Sequence, residues 1–300
     1  MNIIKYRKIF LSISGILVLA SIIAIAVFGF QPGIDFSGGT LWQIAITRTN
    51  ADSTQTNAEE IKKFFETDLG VKNVIVFPGE NQSFLIRFGH ISEEQHQNYL
   101  SALKNKFGEV EELRFEGIGP TIGKELKRKA VWAIIMVMLG ISLYIAFAFR
   151  KVSYPIKSWK YGIITLITLF HDVIIPAGLL AVLGRRLGIE IDTNFVVALL
   201  VVMGFSIHDT IVVFDRIREN LLLQKNRLDL PAIINNSVNQ TFVRSINTSL
   251  TLILVLLALF FFGPVTLKYF ILTILIGTTV GTYSSIFVAS TLLLFRSSSK

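Results

Sequence analysis

Cysteine is absent from this 300-residue chain. Its absence excludes disulfides, zinc–thiolate sites and cysteine nucleophiles. Charge is scarce as well: 17% of residues are Asp, Glu, Lys or Arg, against 52% hydrophobic. That balance is too apolar for an ordinary soluble domain and places the chain in the membrane class. Histidine occurs only four times. His90 and His96 have no ligand partners nearby in sequence and read as surface residues, so no metal is expected.

What is present is unevenly placed. The formal charge is +8, yet residues 31–129 hold 12 Lys/Arg and 14 Asp/Glu while the remainder holds 17 and 7. The basic residues gather beside apolar runs, so membrane topology accounts for the excess and no nucleic-acid partner is expected. Six apolar segments, near 9–30, 130–149, 161–183, 193–214, 245–263 and 268–295, are long enough to cross about 30 Å of hydrocarbon at about 1.5 Å per residue. The first exceeds a secretory signal core and lacks a small-x-small cleavage site, so it reads as a retained span.

Fourteen Lys/Arg of the short flanking segments fall on one side, among them Lys5, Arg7, Lys8, Arg216 and Arg218. Only Arg185, Arg186 and Lys268 fall on the other. Basic loops stay cytoplasmic, which puts both termini inside and residues 31–129 outside. Three regions result: 1–30, the N-terminal tip and first span; 31–129, an extracytoplasmic domain; and 130–300, spans two to six with a cytoplasmic C-terminus.

Within 31–129, "LWQIAIT" (41–47) alternates like a half-buried strand. A helical stretch follows, opened by Thr56 and Glu59 in capping-box spacing and stopped by Gly70. "VKNVIVF" and "SFLIRF" read as two strands joined through "PGENQ". A second helix opens on a Ser92/Gln95 capping box, and "VEELRFEGI" closes the set. The order β-α-β-β-α-β is ferredoxin-like. The expected fold is therefore an α-helical polytopic membrane protein with six transmembrane helices and an α+β domain between the first two.

Several polar residues lie inside the apolar segments. Asp209 sits in "FSIHDTIVVF" (205–214), about 24 Å along span four. A mid-span Asp costs about 2.5–3.5 kcal/mol on insertion scales, so it must take a proton or face a partner or water. Helix-to-helix bonding and interfacial placement are the competing roles. Span five carries Arg244, Asn247 or Thr248, and Thr251 on one polar stripe. Arg244, at the start of that stripe, can snorkel to the cytoplasmic edge. Asp172, preceded by His171, is a second mid-span carboxylate, suited equally to helix bonding. His208 adjoins Asp209 but points about 100° away on a helix. In span six, Gly277, Gly281, Ser285 and Ala289 place a small residue at every fourth position, a face for close helix approach. Pro176 and Gly178 lead to the expectation of a kink or unwinding in span three.

The glycine-rich "GIDFSGGT" (33–40) lacks the Lys-Ser/Thr pair of a nucleotide cradle and reads as a tight turn, so no cofactor is expected. Together with "GPTIGKEL" (119–126), "HDV" (171–173) and "GFSIHDTIVVFDRIREN" (204–220), it closely resembles the SecF branch of the SecD/SecF family. The likeness runs the length of the chain. Gly33, Ile34, Asp35, Phe36, Gly38 and Gly39 form the family's motif, with Phe36 where the SecD branch has Leu. The resemblance implies half of an RND-type, proton-driven transporter in the bacterial inner membrane. Its implied partners are SecD, the SecYEG channel with SecA, YajC, the exported preprotein and the lipid bilayer. It also implies that Asp209 and Arg244 form a proton relay; Asp172 and His208 are further candidates by position and residue type. His208 departs from the family's usual Asn. Two alternatives stand beside this reading: a passive subunit stabilising the translocon, or half of another RND-type exporter. An intramembrane aspartyl protease using Asp172 and Asp209 would need a Gly-x-Gly-Asp signature, which is missing, and no enzymatic activity is expected.

Overall fold

A computed structural model describes residues 2–47, 57–79, 82–150, 156–223 and 229–295. The chain divides into two compact units, one of residues 32–129 and one of residues 1–31 with 130–300.

The 32–129 unit begins with a single helical turn, α1, at Ile34–Ser37, and then β1, Gly39–Thr47. The short helix Ala58–Lys63 (α2) continues as a π-helical segment to Asp68. Strands β2, Ile75–Pro78, and β3, Ser83–Phe88, follow. Helix α3, Glu93–Phe107, and β4, Glu109–Ile118, complete the unit. The sheet order is β2-β3-β1-β4 with every neighbour antiparallel, the split β-α-β arrangement of a ferredoxin-like fold. Period-two alternation puts Trp42, Ile44 and Ile46 of β1 and Phe84, Ile86 and Phe88 of β3 on one face. That face buries against Ile61, Phe65, Leu103 and Phe107 of the helices.

The Ser92/Gln95 capping box forms with both reciprocal bonds. The cap of α2 is different from the one expected: Asn57 Oδ1 accepts from Glu60 N at 2.8 Å, while Thr56 lies outside the described residues. His96 also corrects its sequence reading. It is 3% exposed, stacked on Phe115 at 3.7 Å between centroids and edge-on to Trp42. Its Nε2 lies 2.6 Å from Glu112 Oε2 and its Nδ1 3.2 Å from Glu93 Oε1. Aromatic neighbours distant in sequence make it a core residue, and hydrogen bonds from Gln97 and His96 hold the Glu93 carboxyl below its ordinary range. His90 is exposed.

Among the described residues, the other unit contains six helices long and apolar enough to cross a membrane. A 3-10 turn leads into Arg7–Phe28, the N-terminal helix (αN). After the ferredoxin-like unit come α4, Pro120–Ala148; α5, Ser158–Leu187; α6, Thr193–Leu223; α7, Leu230–Phe262; and α8, Lys268–Tyr283. The last runs on through a π-helical segment, Ser284–Ala289, to Leu292. Helix α5 passes through Pro176 without interruption.

Several helices outrun their apolar cores. Helices α6 and α7 are about 46 and 50 Å long, against about 30 Å of hydrocarbon. Their polar ends are clamped together: Asn220 Nδ2 donates to Ser237 Oγ and Gln240 Oε1, and Arg216 Nε donates to the same Gln240 oxygen. The outward faces of αN, α4 and α7 are apolar and exposed, as lipid contact requires.

Candidate functional site

Helix α6 turns Leu199, Val202, Met203, Ser206, Asp209, Thr210 and Val213 inward, the 3.6-residue stripe of a helix packed on one side. Asp209 is 2% exposed. Ser249 Oγ on α7 donates to its Oδ2 at 3.2 Å, and Thr282 Oγ1 on α8 donates to Ser249 Oγ at 2.5 Å. A hydroxyl can accept and donate at once, so Thr282, Ser249 and Asp209 line up across three helices, with the single Ser249 proton shared between Asp209 and the Ser245 carbonyl at 2.8 Å. Among the described residues, no cation lies within ion-pair distance of Asp209.

Close helix approach makes that chain short. A Cβ on Gly277 would stand 2.3 Å from Val202 Cγ2, and one on Gly281 would stand 2.9 Å from Ser206 Cβ. Only glycine lets α8 press against α6 there. One turn on, Ser285 Oγ lies 2.7 Å from Thr210 Oγ1 and donates to the Ser206 carbonyl. The π-helical segment starts at Ser284, where an extra residue per turn turns both Ser284 and Ser285 inward.

Asp172 occupies a second buried pocket and is fully inaccessible. Ser206 Oγ and Ser284 Oγ both donate to its Oδ2, the latter at 2.8 Å. His171 Nδ1 meets its Oδ1 at 2.8 Å. Pro176 has no N–H to offer the Asp172 carbonyl four residues back.

Arg244 does not meet Asp209. It is exposed on the outer face of α7, along with Asn247 and Thr251, beside a groove that also holds Asp215, Arg216 and Glu219. The hydroxyl row turned into the bundle is instead Ser237, Thr241, Ser245 and Ser249, spaced by four. That spacing was the available signal, and small hydroxyls every fourth residue mark a packed membrane-helix face. His208 is likewise exposed, on the side of α6 away from Asp209's partners. Ser206, Ser249, Thr282 and Ser284 are the site residues that sequence reading missed.

In the other unit, two motifs distant in sequence meet. Gly38 and Gly39 take φ of +73° and +137°, and a Cβ on Gly38 would stand 2.9 Å from Pro120 Cα at the start of α4. Gly123 closes on Gly38 N and the Phe36 carbonyl. Ile34 and Phe36 are buried, Asp35 is half-buried, and Gly33 is the extended cap of α1. Arg87 Nη2 donates to Pro32 O at 3.0 Å. Glycine is required where φ is positive and backbones touch. No group of three or more His, Asp and Glu stands within metal-binding reach among the described residues.

Residues 98–299 match the family described as protein export membrane protein SecD/SecF, C-terminal, and residues 23–45 match the SecD/SecF GG motif. The protein translocase subunit SecF of Thermobaculum terrenum is 43% identical over 298 residues, covering 97% of this chain and 92% of that one. SecF of Anaerolinea thermophila is 37% identical over 292 residues, with the same two shares. The crystal structure of SecDF, a translocon-associated membrane protein from Thermus thermophilus, is similar at a TM-score of 0.79 and 32% identity. It is matched over 98% of this chain and 38% of its own, so the chain spans well under half of the SecDF chain. With most of its length inside the family's C-terminal region, its glycine turn inside the GG motif and full-length SecF relatives, the chain belongs to the SecF protein translocase subunits of the SecD/SecF family.

Proposed function

We propose that this multi-pass membrane protein acts with SecD as a proton-driven device that promotes preprotein export through the Sec channel. The observation that carries the proposal is the fully enclosed Asp209, whose hydrogen-bond partner is a hydroxyl rather than a cation. A carboxylate without a counter-ion in a membrane bundle is costly while ionised, and taking up a proton removes that cost. The hydroxyl chain through Ser249 and Thr282 ties its charge state to the packing of α6, α7 and α8. A potential supplies about 2.3 kcal/mol per proton charge per 100 mV, several times thermal energy.

The exposed polar stripe supports a partner. His208, Arg244, Asn247 and Thr251 face outward on helices that otherwise present apolar side chains. Lipid solvates such groups poorly, and a second six-span half would cover them. SecD fits that role, with Arg244 serving the relay from the shared face. Both termini face the cytoplasm and residues 32–129 lie outside, where their motion would act on an emerging preprotein beside SecYEG and SecA.

The test is gradient-stimulated release of a secreted protein from membrane vesicles, comparing wild type with Asp209→Asn at equal complex assembly. Loss of the stimulated fraction is expected. Full retention would leave a passive, channel-stabilising subunit as the reading.

A further inference from the structure

The Asp172 pocket contains one polar atom that nothing accounts for. His171 is 4% exposed, and while its Nδ1 serves Asp172, its Nε2 is buried with no hydrogen-bond partner. An orphaned ring nitrogen inside a membrane bundle forfeits the hydrogen bond it would make in water unless it has a use. Asp172 itself has three donors, from His171, Ser206 and Ser284. Of the pair, Nε2 is the atom left with a free lone pair.

We propose that His171 and Asp172 form a second proton-carrying site, in which the proton is taken at His171 Nε2 and the Asp172 carboxylate remains its counter-ion. Uptake converts a pair of charge −1 into a neutral ion pair, which a low-dielectric bundle favours over a lone anion. Release returns the same proton to water, and no other bond changes. The titratable groups facing the pair are few. Tyr283 on α8 lies 6.5 Å from the His171 ring between centroids, and its hydroxyl donates to Phe10 O on αN. From α6 the polar neighbour is Ser206. A Cβ on Gly178 of α5 would stand 2.4 Å from Ser21 Cβ of αN. Spans one and three cross in the same sense, so Ser14, seven residues before Ser21, lies about level with His171, and its buried hydroxyl interacts with Tyr283.

A route to the pair is built into α5. Tyr161, Thr165, Thr168 and Asp172 follow at i, i+4, i+7 and i+11, one face of the helix, and all four are buried. The Tyr161 hydroxyl and Thr165 Oγ1 have no partners either. The row starts at the Lys157 and Lys160 end of the helix, so it leads inward from the basic side.

This inference rests on the reading that protons cross the bundle, and two measurements separate the two. Histidine ¹⁵N NMR of the full chain in lipid bilayers, with the His171 signal assigned by its loss in His171→Asn, reads the protonation of Nε2 directly. The expected result is an acceptor-type Nε2 at high pH that becomes protonated as pH is lowered; an unchanging Nε2 overturns the proposal, whatever any variant does. In vesicles, His171→Asn keeps a donor in the Nδ1 position and should lose the gradient-stimulated fraction of export at equal assembly. If His171→Asn retains that fraction while Asp209→Asn loses it, the second site is wrong and the Asp209 relay stands. If Asp209→Asn retains it, the relay fails, and the NMR titration still decides whether His171 binds a proton.

Discussion

Gly277→Ala is the sharpest perturbation of the contact that assembles the site. The added Cβ would stand 2.3 Å from Val202 Cγ2, 2.7 Å from Cγ1 and 3.0 Å from Cβ. Carbon atoms sit comfortably at about 3.5–4.0 Å, so the contact must open by more than about 1 Å. Val202 is fully buried, and a β-branched side chain on a helix holds essentially one rotamer, so it cannot turn away. Helix α8 must move instead, which strains the Thr282–Ser249 and Ser284–Asp172 bonds one to two turns on. Overpacking of this kind costs about 1–3 kcal/mol. Val202→Ala removes the obstructing methyl groups and on its own costs about 1–3 kcal/mol through the space it leaves. Together the two changes should restore a fit, with a coupling of about 1–2 kcal/mol in the stabilising direction. The assay is a double-mutant cycle on the full chain in mixed micelles, followed by denaturant unfolding. A Gly277→Ala protein as stable as wild type, or a double variant showing the plain sum of the single losses, would refute the close-approach argument.

Other consequences follow from single contacts. Ser249→Ala should slow gradient-stimulated export and shift its pH profile, because Asp209 loses the Ser249 donor, while Ser249→Thr should rescue it by restoring a hydroxyl; an unshifted profile in the Ala variant would remove Ser249 from the path. Gly39→Ala should destabilise the 32–129 unit by about 1–3 kcal/mol, since φ is +137° and the Cβ would stand 2.9 Å from Phe88 O; the check is thermal unfolding. His96→Ala should cost about 2–4 kcal/mol by removing the Phe115 stack and exposing Glu112 to an unpaired setting. The depressed Glu93 carboxyl adds stability that is present above its unfolded value of about 4.3 and is lost as pH falls through the folded one. Acid titration of unfolding should therefore be shallower in His96→Ala, which lacks one of the bonds that depress it.

Hydropathy alone located the six spans, because each needs about 20 apolar residues whatever it packs against. Strand alternation and the Ser92/Gln95 cap likewise wrote the β-α-β-β-α-β order into local sequence. The helix ends were harder. Residues 215–223 and 230–244 are too polar for a span, yet α6 and α7 continue through them because Asn220, Ser237 and Gln240 bond across the pair. The site was less legible. Arg244 and Thr251 mark a polar stripe on α7, but periodicity gives a stripe without saying which side faces the bundle. The inward row of Ser245 and Ser249 differs from it by single residues and carries less polarity. His96 looked solvent-exposed beside Glu93, Glu94 and Gln95, since Trp42 and Phe115, which enclose it, lie on other strands. Nothing local announces the π segment at Ser284, whose geometry depends on the facing donors and acceptors of α5 and α6.

The most direct measurement of the central claim is proton flux itself. Liposomes holding the complex of this protein with SecD would be loaded with a pH-sensitive dye and given an imposed gradient, with Asp209→Asn compared at matched reconstitution. Asp209 on the proton path requires a flux in wild type that the Asn variant lacks, with Asp209→Glu recovering part of it. Equal flux through wild type and Asp209→Asn would contradict the assignment of this carboxylate as the proton carrier.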